Sequence, residues 1–329
     1  MSDAPLDEIH LFLGGTDWEG AEIAPLVGDA SFRRYFRLRK GCRSAMLMHA
    51  PPPHEDPGPF LHVARWLEAN GLRAPQILFD DAAAGWVLTE DFGDQRMREW
   101  VDAHPQDERD IYAKAIDTLV QLHRLPAGPF DPYDMATYLR EVLLLTEWYC
   151  PAMGLAVDEE GYRAAWTAVL EPLLARQSPG ITVLRDYHAE NIMLLEAGKL
   201  AGAQGLIDFQ DALVGHPAYD LVSLLQDARR DVSVQLEAEM LGRYRASAEP
   251  DAHFEADYAR LGAQRNAKIV GIFTRLWKRD GKDRYLSMVP RVWEAMERDL
   301  AHPALQPVAD WFAANIPQDL RDRLGGEIR

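Results

Sequence analysis

Apolar residues recur on two different periods along this chain, and the change of period marks its organisation. Leu6, Ile9 and Leu13 fall at helical spacing ahead of Gly14-Gly15, which predicts a short amphipathic helix with a packing role. Phe36 and Leu38 then alternate with Arg37 and Arg39, the two-residue period of a half-buried strand. Lys40-Gly41 turns the chain into a second strand over 44–48, and Ala50-Pro51-Pro52-Pro53 breaks it. Phe60, Val63, Ala64 and Leu67 predict a helix over 59–70, with Gly71 as its stop. Ile77-Leu78-Phe79 and Trp86-Val87-Leu88-Thr89 read as strands around a turn at 80–85.

Beyond residue 93 the helical period takes over. Ile111, Ala115, Ile116, Leu119 and Leu122 form one stripe, and further helices are expected over 134–150 and 158–176. Trp148 and Tyr149 could line a sugar pocket, although aromatic residues at helical spacing more often belong to a core. Val183-Leu184, residues 192–195 and Leu206-Ile207 interrupt the helices as short apolar strands. A helix is expected over 216–229. Another, within Lys268 to Asp283, places Ile269, Ile272, Phe273, Leu276 and Trp277 at i, i+3, i+4, i+7 and i+8. Strands gathered early and helices late predict an α+β fold.

Composition narrows the partners. With 35 basic and 52 acidic residues, the formal charge of −17 argues against a nucleic acid or an anionic membrane as the main partner. An anionic ligand must then be gripped locally. Two cysteines, Cys42 and Cys150, make a disulfide framework unexpected and fit a reducing compartment. Met1-Ser2-Asp3-Ala4-Pro5 lacks a basic segment followed by a long apolar one, and no apolar run is long enough to span a bilayer. A cytoplasmic monomer is the expectation.

The chemistry is concentrated in Leu184-Arg185-Asp186-Tyr187-His188-Ala189-Glu190-Asn191, followed by Gly205-Leu206-Ile207-Asp208-Phe209-Gln210. An Asp, an Asn five residues on, and a second Asp closing an apolar run match the spacing that phosphoryl transfer from ATP uses. In that arrangement the first Asp, here Asp186, accepts the proton of the attacking hydroxyl. Asn191 and Asp208 hold magnesium, which takes oxygen ligands and keeps several waters. A hairpin-like excursion between paired strands would carry the three side chains toward one point. Asp and Asn are also ordinary turn formers, so the whole pattern, set in apolar runs, is what points to function.

These motifs resemble the catalytic and metal loops of the aminoglycoside phosphotransferase superfamily, relatives of the protein kinases. Gly215-His216-Pro217-Ala218-Tyr219-Asp220-Leu221 is similar to the run that follows that family's metal Asp. The resemblance implies a bilobal protein-kinase-like fold, with a small antiparallel-sheet N-lobe (1–93) for nucleotide and a large, mainly helical C-lobe (94–329) for catalysis and substrate. It implies ATP and Mg2+ as cofactors and Asp220 as a brace for the catalytic loop. It places Ser31, Phe32 and Arg33 over the ATP phosphates, and Glu90 and Phe92 in the linker that holds adenine. Tyr187, His188, Gln210 and Asp211 are expected beside the substrate. Kinases also carry a Lys on the third strand, paired with a helix Glu; Ser44-Ala45-Met46-Leu47-Met48-His49 has none. Arg33, Arg34 or Arg43 could replace it, and the gap keeps a non-catalytic nucleotide-binding reading open.

Lys268, Arg275 and Lys278-Arg279 form a basic stripe in an acidic protein, either a solvated face or a contact from Arg275 to an anionic substrate group. Within the superfamily, residues 28–35, 184–188 and 275–282 are similar to the anomeric amino-sugar kinases of bacterial cell-wall recycling. Those enzymes phosphorylate the C1 hydroxyl of N-acetylmuramate and N-acetylglucosamine, and His49 departs from their pattern, where an Asp would fit. An amino sugar is thus the expected acceptor, with an aminoglycoside or choline-type acceptor as the alternative.

Overall fold

A computed structural model of the chain describes residues 6–26, 32–195 and 203–326. It comprises two compact units, one of Met1–Trp100 with Asn191–Asp211 and one of Val101–Glu190 with Ala212–Arg329.

In the first unit, α1 (Leu6–Leu13) accompanies five antiparallel strands: β1 (Glu22–Pro25), β2 (Arg34–Lys40), β3 (Arg43–His49), β4 (Ile77–Asp81) and β5 (Trp86–Glu90). Their order is β1-β2-β3-β5-β4. The register sets Phe36 opposite Leu47, Leu38 opposite Ala45, and Leu47 opposite Leu88. Because side chains alternate across a sheet, this puts one apolar face on Ile9, Leu13 and Trp18, which share its buried cluster. The expected α1 and β2 to β5 are present. β1 has no forecast in the hydrophobic pattern, since it is a four-residue edge strand in which Ile23 and Ala24 are adjacent rather than alternating, with a Pro at its end.

α2 (Gly58–Ala69) buries Phe60, Leu61, Val63, Ala64 and Leu67. It stops where Gly71 turns left-handed at φ 75°. Ile192–Leu194 pairs with Gln204–Leu206 in this same unit.

The strands flanking residues 186–191 therefore do not pair with each other, contrary to the sequence expectation. Ile181–Val183 belongs to the second unit and pairs with Leu213–Gly215. Each three-residue strand takes another three-residue strand as its partner, so the loop passes from one small sheet to another.

The boundary at Trp100 lies in α3 (Met97–Ala103), and the second unit continues with α4 (Glu108–His123) and α5 (Met135–Val142). α5 starts at Asp134, whose carboxylate accepts the Thr137 N–H at 2.8 Å. It runs on through a π-helical turn, Leu145–Tyr149, so the helix expected over 134–150 is two segments. Tyr149 is core: fully buried, its hydroxyl donates to the Gly325 carbonyl. After α6 (Cys150–Ala152) and α7 (Glu159–Leu174) comes α8 (Ala218–Leu225), every residue of which is buried. α9 (Val234–Ala248), α10 (Phe254–Asp280), α11 (Val289–Leu300) and α12 (Gln306–Asn315) follow.

α10 is 27 residues long and starts well before Lys268, because its first half buries Gln264, Arg265 and Asn266, which an apolar count misses. It ends at Gly281, left-handed at φ 68°. Gly271 is obligatory there: a Cβ would lie 2.3 Å from the Leu144 carbonyl carbon, so only glycine lets α10 approach the backbone beside the π turn. Among the described residues, no helix is long and apolar enough to cross a membrane.

Candidate active site

In the second unit, the loop after Ile181–Val183 is held by buried carboxylates. Asp220, on fully buried α8, accepts the Leu184 N–H at 2.7 Å and the Arg185 N–H at 2.8 Å. Burial pushes its carboxyl up to about 7, against the pull of these two N–H groups toward the charged form. Arg185 sits at φ 70°, a left-handed position that costs a branched-chain or bulky residue about 1–3 kcal/mol and persists where the surroundings enforce it. Its guanidinium pairs with Glu141 of α5. Glu141 also accepts from Lys268 Nζ at 2.9 Å, from Gln264 Nε2 at 3.1 Å and from the Tyr133 hydroxyl.

Asp186 follows directly, partly buried. Burial raises its carboxyl, but the charges of Lys268, Arg265 and Arg185 outweigh burial and hold it below the ordinary Asp value. It is therefore a carboxylate at neutral pH. Further along the loop, Asp227 accepts the Ala189 N–H at 3.3 Å, and Arg229 pairs with Glu190 at 3.0 Å.

Two residues expected beside substrate have other work. Tyr187 is 2% exposed and its hydroxyl donates to the Ala115 carbonyl at 2.8 Å, so it anchors the loop to α4 rather than presenting to a ligand. His188 is also buried; burial lowers its pKa, and the neutral ring accepts from Arg229 Nη1 across 3.2 Å.

In the first unit, pairing of Ile192 with Leu206 sets Asn191 and Asp208 at one end of the two-stranded ribbon. Asn191 Nδ2 donates to Asp208 Oδ2 at 3.2 Å, and Gln210 Nε2 donates to Asp208 Oδ1 at 2.9 Å. Asp208 is exposed and left-handed at φ 61°. Thus two of the four left-handed non-glycine residues among those described are Arg185 and Asp208. Phe209, between Asp208 and Gln210, is buried and stacks on Phe60 of α2 with centroids 5.2 Å apart. Asp211 is exposed.

The remaining nucleotide candidates are also in this unit. Ser31 lies outside the described residues. Phe32 is 66% exposed and stacks on His54. Arg33 is paired with Glu55 at 3.2 Å, both side chains largely covered. It also lies against Tyr35, whose hydroxyl burial pushes up and the Asp208 charge pushes further. Glu90 is fixed by Arg73 through bonds of 2.8 and 2.5 Å. The Arg73 guanidinium covers the Phe92 ring, and that ring fills the space over Gly205, where a Cβ would come within 2.5 Å of it. Arg37 ties residues 91–94 to β2 through Asp91 and Asp94, both at 2.8 Å.

The basic stripe on α10 resolves into separate partnerships. Lys268 pairs with Glu141, Lys278 lies over the Trp277 ring at 3.7 Å, and Arg279 holds Asp280 at 2.7 and 2.9 Å. Arg275 makes no hydrogen bond or ion pair among the described residues, and its Nε is buried. Sequence reasoning missed Glu141, Arg37 and Arg73, whose partners are distant in sequence. An isolated charge inside an apolar helical stripe was the available signal for Glu141.

Comparison with known proteins extends this picture. Residues 22–263 match the model of the phosphotransferase enzyme family. The N-acetylmuramate/N-acetylglucosamine kinase of Caulobacter vibrioides is 36% identical, over 94% of this chain and 96% of that protein. Among solved structures, a choline/ethanolamine kinase family protein from Mesorhizobium loti superposes with TM-score 0.62 at 16% identity, covering 94% of this chain and 99% of that one. The streptomycin–ATP–APH(2'')-IIa complex gives 0.60 at 14% identity, covering 92% and 98%. The α+β architecture expected from the sequence, an antiparallel N-terminal sheet followed by mainly helical structure, is the fold these kinases share. With the match to the family's model spanning both the sheet and the Asp186 and Asp208 loops, the chain belongs to the phosphotransferase enzyme family.

Proposed function

We propose that this protein transfers the γ-phosphoryl group of ATP to a hydroxyl of an amino sugar, the anomeric C1 hydroxyl of N-acetylmuramate or N-acetylglucosamine. The observation that carries the reading is Asp186, a carboxylate kept ionised by surrounding cations on a loop fixed by Asp220 and Glu141. The likeness to the Caulobacter kinase supports the acceptor. The location we infer is the cytoplasm, and the role is reuse of cell-wall sugars by a monomer.

Asp186 orients the acceptor hydroxyl and takes its proton as the sugar oxygen attacks the γ-phosphorus. The bond from that phosphorus to the β–γ bridging oxygen breaks, and ADP leaves. An anomeric hydroxyl is more acidic than an ordinary alcohol, so little is demanded of the base and positioning supplies most of the acceleration.

The donor set fits magnesium. Asp208 offers exposed carboxylate oxygens, and Asn191 beside it offers an amide oxygen; two such hard donors suffice when phosphates and water complete the shell. When bound, the ion would neutralise charge on the ATP phosphates. Arg33, steadied by Glu55, is our choice for the cation that replaces the third-strand Lys, with Ser31 and Phe32 beside the phosphates. Glu90 and Phe92 would border adenine, within a nucleotide-binding region of residues 1–93. Acceptor binding would fall to residues 94–329, with Arg275 near the sugar.

Asp186→Asn tests the assignment. Loss of a general base costs about 10²–10⁴-fold in kcat, while ATP affinity by calorimetry stays within twofold. Near-normal turnover would remove Asp186 from the reaction.

A further inference from the structure

We propose that Arg275 is the residue that distinguishes N-acetylmuramate from N-acetylglucosamine, by pairing with the lactyl carboxylate that only the former carries. The inference rests on the amino-sugar reading above and assigns one part of the acceptor.

One row of side chains on α10 runs along the segment 138–147. Gln264 donates to Glu141 at 3.1 Å, Lys268 pairs with Glu141 at 2.9 Å, and Gly271 abuts the Leu144 backbone. Arg275 is the next member of the row, and Asp280, itself held by Arg279, and Glu147 lie within its electrostatic range. Lys268 stands in the field of Asp186. Seven residues separate Lys268 from Arg275, two turns of helix, so both emerge on the same face about 10 Å apart. A hexose whose C1 hydroxyl is at Asp186, in the field of Lys268, would run its three-carbon acid arm along this face toward Arg275.

Every other cation of the stripe has a partner within the protein. Arg275 has none among the described residues, although its Nε is buried. A covered guanidinium N–H without an acceptor is costly, and a carboxylate is the planar, two-oxygen partner that its fork matches. Glu147 is exposed and forms no ion pair with it among the described residues. The segment opposite, Leu145–Tyr149, is π-helical, a rare geometry frequent at functional sites. In a chain of charge −17, an anionic sugar needs such a local cation.

The two sugars supply an internal control. Steady-state kinetics of the full chain should show Arg275→Ala raising KM for N-acetylmuramate roughly 10–100-fold, the scale of a charged hydrogen bond, with KM for N-acetylglucosamine moving less than twofold. Arg275→Lys should recover part of the loss. The methyl ester of N-acetylmuramate, offered to the unmodified enzyme, should suffer a similar KM penalty, which tests the idea without any variant. Equal losses on both sugars, or an ester as good as the acid, would overturn this inference alone. A wild-type enzyme that phosphorylates neither sugar would overturn the acceptor reading and this inference with it.

Discussion

Replacing Glu141 with Gln tests how the catalytic loop is held. The carboxylate is 6% exposed and faces two cations, Arg185 and Lys268, with the Tyr133 hydroxyl and Gln264 also donating to it. Glutamine preserves the volume, so no cavity opens, and the loss is electrostatic. Removing one partner of a buried pair costs about 3–5 kcal/mol, because the other charge stays buried without compensation. Lys268 can shed its proton in the variant, which caps the loss near the lower figure of about 3 kcal/mol. For a folding unit of 150–250 residues each kcal/mol is worth roughly 2–4 °C, so Tm should fall by roughly 6–12 °C in scanning calorimetry. Because Arg185 precedes Asp186, kcat should fall with it while KM for ATP holds. A double-mutant cycle with Lys268→Met should show the two losses adding to less than their sum, by about 0.5–3 kcal/mol. A Tm within 2 °C of the parent, or strictly additive losses, would refute the reasoning.

Asp208→Ala removes the exposed carboxylate beside Asn191 and should abolish the magnesium-dependent part of ATP binding, measured by titration with and without EDTA. Binding that ignores the ion in both proteins would contradict the ligand assignment. The pH profile of kcat at saturating substrates follows from the direction of the Asp186 shift. Its folded pKa is depressed, so the base is lost only as pH falls through that depressed value, below the ordinary Asp range near ~3.9. No acid limb belonging to Asp186 should appear above about pH 5; one centred near neutrality would oppose the assignment.

What the sequence reveals here follows the reach of each signal. Local periodicity locates α2, α4 and β2 to β5, since burial of alternate or every third and fourth residue is written in neighbouring positions. The Asp186, Asn191 and Asp208 spacing is legible for the same reason: it lies within loops between short apolar strands. Pairing of those strands is not legible, because a three-residue strand can join any similar run, and Ile181–Val183 joins Leu213–Gly215. Side-chain partnerships across long separations are also invisible. Lys268 and Glu141 lie 127 residues apart, and their pairing removes Lys268 from the supposed basic stripe, leaving Arg275 without a hydrogen bond or ion pair among the described residues. Tyr187 shows the converse error: adjacency to Asp186 suggests substrate, whereas the ring is buried and its hydroxyl is bonded to the Ala115 carbonyl of α4.

Phosphorus NMR of the purified protein with ATP, magnesium and each amino sugar tests the central claim most directly. The account predicts a sugar 1-phosphate resonance growing in step with ADP, and its absence when Asp186 is replaced by Asn. ADP without sugar phosphate, phosphate on another hydroxyl, or an Asp186→Asn protein that makes the same product would contradict it.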